Sequence, residues 1–371
     1  MDKYIWISAL ETSADIHGKR VMESLRRLGC TSKFLGIGGP NMAAAGMDLV
    51  FDAEQFSVMG LFEVISHIPR VFKAYKHIKK IFTDINIEKV ILIDAPDFHF
   101  KIAKIAREKN IPVYYYISPQ VWAWRKGRIK FLKKYVKKLL CIFPFEKEFY
   151  RQNGLDVEYV GHPLMEYLDF QHLDKIVREN NSIILLPGSR IKEVQKILPI
   201  MSLSCDILKK SFDIQIKIVK APHISEKIIN KSWLSNLEYR LVDFEDRYIE
   251  MAKSRVGIVA SGTASLECGL IGLPSVVVYK VSYPTYIIGR LFVNTNFIKF
   301  ISMTNIMLNK PVFPELIQHD FTPNNVVNIL SKWLSNEEEI FKIKKELATL
   351  RDKFGDSQAS LEAAKIIMGN S

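Results

Sequence analysis

Two doubly wound α/β domains are what this sequence predicts, and three observations lead there. Short β-branched or apolar runs alternate with longer segments of helical period, the pattern of parallel strands joined through helices. Polar turns carrying Gly, Ser, Asp and Arg follow several of those runs, where open α/β sheets place their ligands. The length, 371 residues, suits two domains, each large enough for its own core.

The elements follow in order. Residues 4–9 read as a strand and 15–28 as a helix, then 90–93 as a strand, 99–109 as a helix, and 113–117 and 138–142 as strands. The rhythm pauses at Gly161-His162-Pro163, and residues 168–181 are polar and charged. A new strand starts at 183–186, with a turn and a helix from about Glu193, and strands at 214–219, 256–260 and 275–279 keep the same rhythm. The predicted domains are therefore 1–165 and 166–344, joined near 162–180. The chain reads as helical throughout from about Glu337, and the last stretch, about 345–371, is expected to pack back onto the first domain. There is no internal repeat and no low-complexity tract beyond short lysine runs.

Composition narrows the class. With 48% hydrophobic and 25% charged residues, the chain is neither disordered nor collagen-like nor a small disulfide scaffold. The four cysteines (Cys30, Cys141, Cys205, Cys268) stand singly with no C-x-x-C pair, which suits a reduced cytosolic protein and argues against a cysteine zinc site. The N-terminal apolar run is too short for a signal peptide, and no stretch approaches the roughly 20 apolar residues that span a bilayer. Lys plus Arg is 52 against 40 Asp plus Glu, a net charge of +12. That surplus favours an acidic partner: nucleic acid, an anionic membrane face or a phosphorylated substrate.

Four strand ends are candidate sites. In Ile93-Asp94-Ala95-Pro96-Asp97 two carboxylates follow a buried strand. Asp94, directly at the strand end, is the candidate general base for a substrate hydroxyl, and Asp97 is the better placed to cap the next helix. In Pro187-Gly188-Ser189-Arg190 a strand, a Gly-Ser turn and a helix start make an anion site, with Arg190 adding a fork for phosphate. An ordinary turn with a solvated Arg has the same pattern. In Ser261-Gly262-Thr263-Ala264-Ser265-Leu266-Glu267 small residues let backbone approach a ligand. Glu267, one turn into the helix, suits the vicinal hydroxyls of a ribose, or simply complements the helix dipole. No G-x-x-x-x-G-K-[ST] occurs, so this is not a P-loop. The fourth place, Leu10 to Gly18, offers Glu11, Ser13 and Asp15 after the first strand, near where an acceptor would enter.

Two surfaces add to this. Residues 61–82 place Leu61, Val64, Ile65, Ile68, Val71, Phe72 and Tyr75 on one helical stripe flanked by Arg70, Lys73, Lys76, Lys79 and Lys80. Such a stripe docks on anionic lipid, with Leu61, Ile65, Ile68 and Phe72 as the inserting side chains, or packs on its own core. Residues 125–138 carry eight Lys or Arg and no acid, a solvated basic face or one that meets phosphates and lipid head groups. Phe131 and Tyr135 are too few aromatics for a nucleic-acid module, so no nucleic acid is expected as a partner.

Taken in order, several segments resemble the lipid-A-disaccharide synthase family, glycosyltransferases of bacterial outer-membrane assembly. They are GIGGPNMAAAGM (36–47), FSVMGLFEV (56–64), IDAPDFHF (93–100), YISPQVWAWRKGRI (116–129), FPFEKEFY (143–150), VGHPL (160–164), LLPGSR (185–190) and ASGTASLE (260–267). The resemblance runs from residue 11 to about 315, and the tryptophan pair with the PFE segment is its most specific part. It implies a GT-B architecture, two Rossmann-like doubly wound domains facing a cleft, with a C-terminal helix returning to the first. It also implies an inverting hexosyl transfer: 2,3-diacylglucosamine passes from UDP-2,3-diacylglucosamine to the 6-hydroxyl of 2,3-diacylglucosamine 1-phosphate (lipid X). The products would be the β-1,6 disaccharide 1-phosphate and UDP. No cofactor or metal is implied. Asp94 matches the family's proposed base. Arg190 and Glu267 match nucleotide-binding positions, and Asn305 an Asn near the sugar nucleotide. The implied location is cytoplasmic, peripheral to the inner membrane.

The sequence departs from the family in two places. Leu10-Glu11-Thr12-Ser13-Ala14-Asp15 stands where G-E-x-S-G-D is usual, and Met303-Thr304-Asn305 where LPN is usual. Two rival readings are a different GT-B enzyme of sugar-nucleotide metabolism, such as a UDP-N-acetylglucosamine 2-epimerase, which has no acyl substrate for the apolar stripe, and a basic membrane- or nucleic-acid-binding protein whose catalytic loop has decayed.

Overall fold

The computed structural model describes residues 2–57, 64–122, 127–281, 299–356 and 358–369. Contacts divide the chain into two units, one holding everything up to Glu166 together with the residues from Asp356, the other spanning Tyr167–Gly355.

The first unit is built on a seven-stranded parallel sheet: β1 (Tyr4–Ala9), β2 (Lys33–Gly38), β3 (Met47–Asp52), β4 (Ile87–Ile93), β5 (Val113–Tyr116), β6 (Lys138–Cys141) and β7 (Glu158–Tyr159). Their order is β3-β2-β1-β4-β5-β6-β7. The second unit has six strands: β8 (Ser182–Leu186), β9 (Gln215–Val219), β10 (Arg240–Val242), β11 (Val256–Ala260), β12 (Ser275–Tyr279) and β13 (Glu315–Ile317), in the order β10-β9-β8-β11-β12-β13. Both are the doubly wound order of a Rossmann-like fold, with the direction of winding reversing between β1 and β4 and again between β8 and β11. The central strands read as unbroken apolar runs because helices cover both faces of such sheets. Every residue of β5, β8 and β11 is buried.

Sequence pattern found the central strands and missed the outer ones. β2 carries two glycines, β3 contains two aspartates and buries only Met47, and β10 and β13 are three residues long. None shows the apolar run that marks a buried strand. The C-terminal region departs from expectation too. Helix Glu337–Asp352 packs on the second unit, where Arg351 donates to the Leu270 carbonyl at 2.8 Å and pairs with Asp174 at 2.7 Å. The chain then breaks before helix Ala359–Met368, which lies on helix Thr12–Arg27 of the first unit, with Ser24 and Ser360 hydroxyls 3.2 Å apart. The return therefore begins near Asp356, later than residue 345, and the tail is two helices rather than one.

The GGPNM segment shows how one buried carboxylate fixes a turn. Asp15 accepts from the backbone N–H groups of Gly39 at 2.8 Å, Met42 at 3.1 Å and Asn41 at 3.0 Å, and from the Asn41 amide at 2.9 Å. It thereby satisfies the free N–H groups of helix Pro40–Ala44. A side chain at Gly39 would place its Cβ 2.8 Å from Asp15 Oδ2, so only glycine fits. Asp15, expected beside an acceptor, is instead buried and spent on structure. Asp15→Ala leaves three helix-start N–H groups without an acceptor and is expected to cost about 3 kcal/mol. Urea unfolding measures it, and a loss under about 1 kcal/mol would mean that water replaces the carboxylate.

Candidate active site

In the first unit the site grows from the carboxyl ends of β1 and β4, neighbours across the reversal point. Beyond β1 stand Glu11 and Ser13, both exposed. Neither Leu10 nor Ala14 takes a positive φ, so the loop reaches its shape without the glycines usual in the resembled family. Beyond β4 the chain makes an uncommon turn: Asp94 and Ala95 both lie in the left-handed region, at φ 52° and 45°. For side chains other than Gly this conformation costs roughly 1–2 kcal/mol per residue, and such strain persists only where the surroundings enforce it. Ala95 is the residue before helix Pro96–Glu108, and the following proline further disfavours right-handed backbone there.

The Asp94 peptide is gripped on both sides. Its N–H donates to the Tyr116 carbonyl at 3.1 Å. Its carbonyl oxygen accepts from Tyr115 Oη at 2.6 Å and His99 Nδ1 at 2.7 Å. The carboxyl group is pushed up to about 6, first by burial and then by the Glu11 charge, while a hydrogen bond from the Ala95 N–H works the other way. A carboxylate tuned close to neutral pH is what general-base catalysis asks for. Asp97 does not cap. The helix starts at Pro96, which puts Asp97 inside the first turn, 74% exposed and paired with Arg128. The pairing is what the sequence pattern could not show, because Arg128 is 31 positions away.

Glu146 explains why the SPQVW and FPFE segments stand out together. Its buried carboxylate accepts from Ser118 Oγ at 2.8 Å, Trp122 Nε1 at 3.1 Å and the N–H groups of Ile142 and Phe143 at 3.2 and 3.1 Å. The two segments are one polar knot, and burial pushes the Glu146 carboxyl up to about 7 against those four donors. The second tryptophan of the pair, Trp124, lies outside the described residues, as do Arg125 and Lys126.

In the second unit the turns after β8 and β11, again adjacent strands, carry the other expected residues. Gly188 sits at φ 109°, and a Cβ there would meet Glu193 Oε2 at 2.7 Å, so the turn admits only glycine. Ser189 is exposed, and its carbonyl accepts from His223 Nε2. Arg190 immediately precedes helix Ile191–Lys209, its side chain 76% exposed and paired at 3.2 Å with Glu193. An exposed pair of this kind contributes little to stability and is readily exchanged for a diphosphate. After β11, Gly262 and Thr263 are exposed at the start of helix Thr263–Ile271, and Ser261 donates to the Ile301 carbonyl at 3.1 Å. Glu267 is buried, and its Oε1 meets Tyr248 Oη at 2.8 Å and Arg247 Nη2 at 3.7 Å. Arg247 in turn lies 3.7 and 4.0 Å from the Phe244 and Tyr248 ring centres.

Asn305 departs from expectation. It is fully buried, and its amide is consumed within the unit: Nδ2 donates to the Phe313 carbonyl at 2.8 Å and Glu315 Oε1 at 2.9 Å, while Oδ1 accepts from the Phe313 N–H at 2.8 Å. Glu315 also accepts from the N–H groups of Ile301 and Ser302 at 2.9 Å. Asn305 therefore shapes the wall beside Ser261 rather than offering a free amide. Sequence reading missed Ser8, His99, Tyr115, Arg247, Tyr248 and His223. The histidine of IDAPDFHF carried a signal, a titratable residue five positions after the candidate base, but nothing local showed that its ring turns back on Asp94.

The apolar stripe divides. Leu61 lies outside the described residues, as do the side chains of Ile65 and Ile68. On helix Val64–Asp84, Ala74, Ile78 and Phe82 are buried, Val71 and Tyr75 half-buried, and Phe72 is 64% exposed among exposed Arg70, Lys73, Lys76 and Lys80. Among the described residues no helix is long and apolar enough to cross a membrane, and no three His, Cys, Asp or Glu are placed to share a metal ion.

Comparison with known proteins adds identity to this geometry. A family model described as lipid-A-disaccharide synthetase matches residues 5–367. The lipid-A-disaccharide synthase of Myxococcus xanthus is 35% identical, the match covering 98% of this chain and 96% of that protein. That of Syntrophus aciditrophicus is 36% identical with the same coverage. Among solved structures, UDP-GlcNAc 2-epimerase from Neisseria meningitidis bound to UDP-GlcNAc superposes with a TM-score of 0.64 at 13% identity, covering 100% of this chain and 99% of that one. Acinetobacter baumannii MurG gives 0.60 at 12%, covering 100% of both. At such identities the likeness is one of fold, the GT-B type.

The electrostatics of Asp94 yield a pH test. If its ionised form is the active one, turnover falls as pH drops through about 6. Glu11→Gln removes a charge that raises the Asp94 carboxyl, so the acid limb of the kcat profile is expected to move to lower pH. A limb that stays in place would separate Glu11 from the titrating group.

Proposed function

This chain belongs to the lipid-A-disaccharide synthase family, and from that premise we propose how its residues perform the transfer. The enzyme is a hexosyltransferase that uses a UDP-sugar donor. In our reading Asp94 accepts the proton of the 6-hydroxyl of lipid X as that oxygen attacks the anomeric carbon of UDP-2,3-diacylglucosamine. The bond from C1 to the diphosphate oxygen breaks on the opposite face, the new C1–O6 bond forms, and the configuration inverts. UDP leaves with the electron pair and Asp94 keeps the proton.

The observation that carries this reading is Asp94 itself: an acid at a strand end, half-desolvated, raised to about 6 and held in a strained backbone. In the second unit, Arg190 and the first N–H groups of the helices starting at Ile191 and Thr263 are proposed to stabilise the departing diphosphate. Glu267, oriented by Tyr248 and Arg247, is proposed to take the ribose hydroxyls. Gly188, Ser189, Ser261, Gly262 and Thr263 supply close backbone approach. Glu11 and Ser13 border the acceptor. Substrates with acyl chains and phosphates match the exposed Phe72 and its basic rim, so we place the enzyme at the cytoplasmic face of the inner membrane, peripherally bound.

Asp94→Asn is expected to lower kcat by on the order of 10²–10⁴ while calorimetric titration shows unchanged UDP affinity. Arg190→Ala should weaken UDP binding by about 1.5–3 kcal/mol and lower turnover as well. Turnover within tenfold of wild type in Asp94→Asn would remove the base assignment. For docking, Phe72→Ser combined with Lys73→Glu and Lys76→Glu is expected to release the protein from anionic vesicles, since each basic residue near such a surface contributes about 1 kcal/mol. Full sedimentation of that variant would shift docking to the basic helix Arg128–Tyr135.

A further inference from the structure

We infer that His99 is a positioning residue that holds the Asp94 carboxylate in its working direction, an inference that rests on Asp94 being the base. The bonding fixes the ring's state. The Asp94 carbonyl only accepts, so the proton lies on His99 Nδ1 at 2.7 Å. A neutral ring then leaves a lone pair on Nε2, which faces Ser8 Oγ at 2.8 Å, and the Ser8 hydroxyl donates to it. His99, Ser8 and Tyr115 are all fully buried, and burial drives the His99 ring down to about 4. The imidazole thus stays neutral through the working range and acts as a fixed donor.

The consequence is mechanical. Asp94 and Ala95 occupy left-handed backbone that neither residue favours. Two donors on one carbonyl oxygen, His99 Nδ1 and Tyr115 Oη, oppose the rotation of the Asp94 peptide that would relieve that strain. The clamp ties three elements to the turn: Ser8 on β1, Tyr115 on β5 and His99 on helix Pro96–Glu108. Without it the turn relaxes and the carboxylate swings away, and a misplacement of about 1 Å costs on the order of 10²-fold in rate.

The test uses the full chain with both substrates. His99→Phe keeps an aromatic ring and removes both nitrogens. Tyr115→Phe removes only the second donor and guards against a folding defect in the first variant. His99→Asn is the rescue, because its amide reaches the place of Nδ1–H. Both Phe variants are expected to lower kcat, His99→Phe by on the order of ten- to a hundredfold, with KM little changed, and His99→Asn to recover most of the loss. The acid limb of the kcat profile should also move below its wild-type position, because a released carboxylate becomes better hydrated. Of the charged and titratable groups around this turn, Glu11 beyond β1 acts on the Asp94 carboxyl, His99 and Tyr115 hold its carbonyl, and Asp97 and Arg128, paired with each other, act on Tyr115. All but the substituted one are unchanged in each variant. Adding His99→Phe to Asp94→Asn should cost nothing further, as expected when one residue acts through the other. A wild-type pH profile per folded enzyme, or an additive loss in the double variant, would overturn the inference while leaving the base intact. An active Asp94→Asn enzyme would overturn both.

Discussion

Two hydrogen bonds to a single carbonyl oxygen, that of Asp94, set how the first unit presents its chemistry. The parallel sheet sets β4 beside β1, where winding reverses, and the next helix starts at Pro96. Between them the chain has two residues in which to turn, and it does so through left-handed backbone at Asp94 and Ala95. The buried groups behind the turn, His99, Tyr115 and Ser8, make that conformation the stable one. Burial and the Glu11 charge then raise the carboxyl that the turn holds.

The second unit meets the same topological situation with different chemistry. Its strands have the same order, and the turns that carry its candidate residues also follow the strands on either side of the reversal. There the left-handed residue is a glycine, Gly188, which needs no clamp and which our proposal sets against the donor's diphosphate. A base needs a side chain in a defined direction, whereas a diphosphate site needs open backbone. That difference accounts for strain in the first turn and glycine in the second.

Much of this was legible in the sequence. Buried parallel strands announce themselves as apolar runs, so β1, β4, β5, β8, β11 and β12 could be read, and the rule that ligands gather at their carboxyl ends made candidates of Asp94, Arg190 and Glu267. What could not be read was long-range. Asp15 looks like a loop carboxylate until Gly39, Asn41 and Met42 close around it, more than twenty positions away. Asn305 looks like a ligand until Phe313 and Glu315 consume its amide. Asp97 looks like a cap until the helix is seen to start one residue before it. In each case the residue type announced polarity, and only the folded partners decided its use. Fold likeness has a similar limit: an epimerase superposes on this chain at 13% identity, whereas the family match across residues 5–367 separates the two activities.

The most direct measurement is to incubate the purified enzyme with UDP-2,3-diacylglucosamine, with and without labelled lipid X, and to quantify UDP and the lipid product in the same samples. Transfer in which an acceptor hydroxyl gives its proton to Asp94 and displaces UDP predicts equal amounts of UDP and β-1,6-linked disaccharide 1-phosphate, and neither without lipid X. UDP released at the same rate in the absence of lipid X, or a donor sugar epimerised at C2, would contradict it.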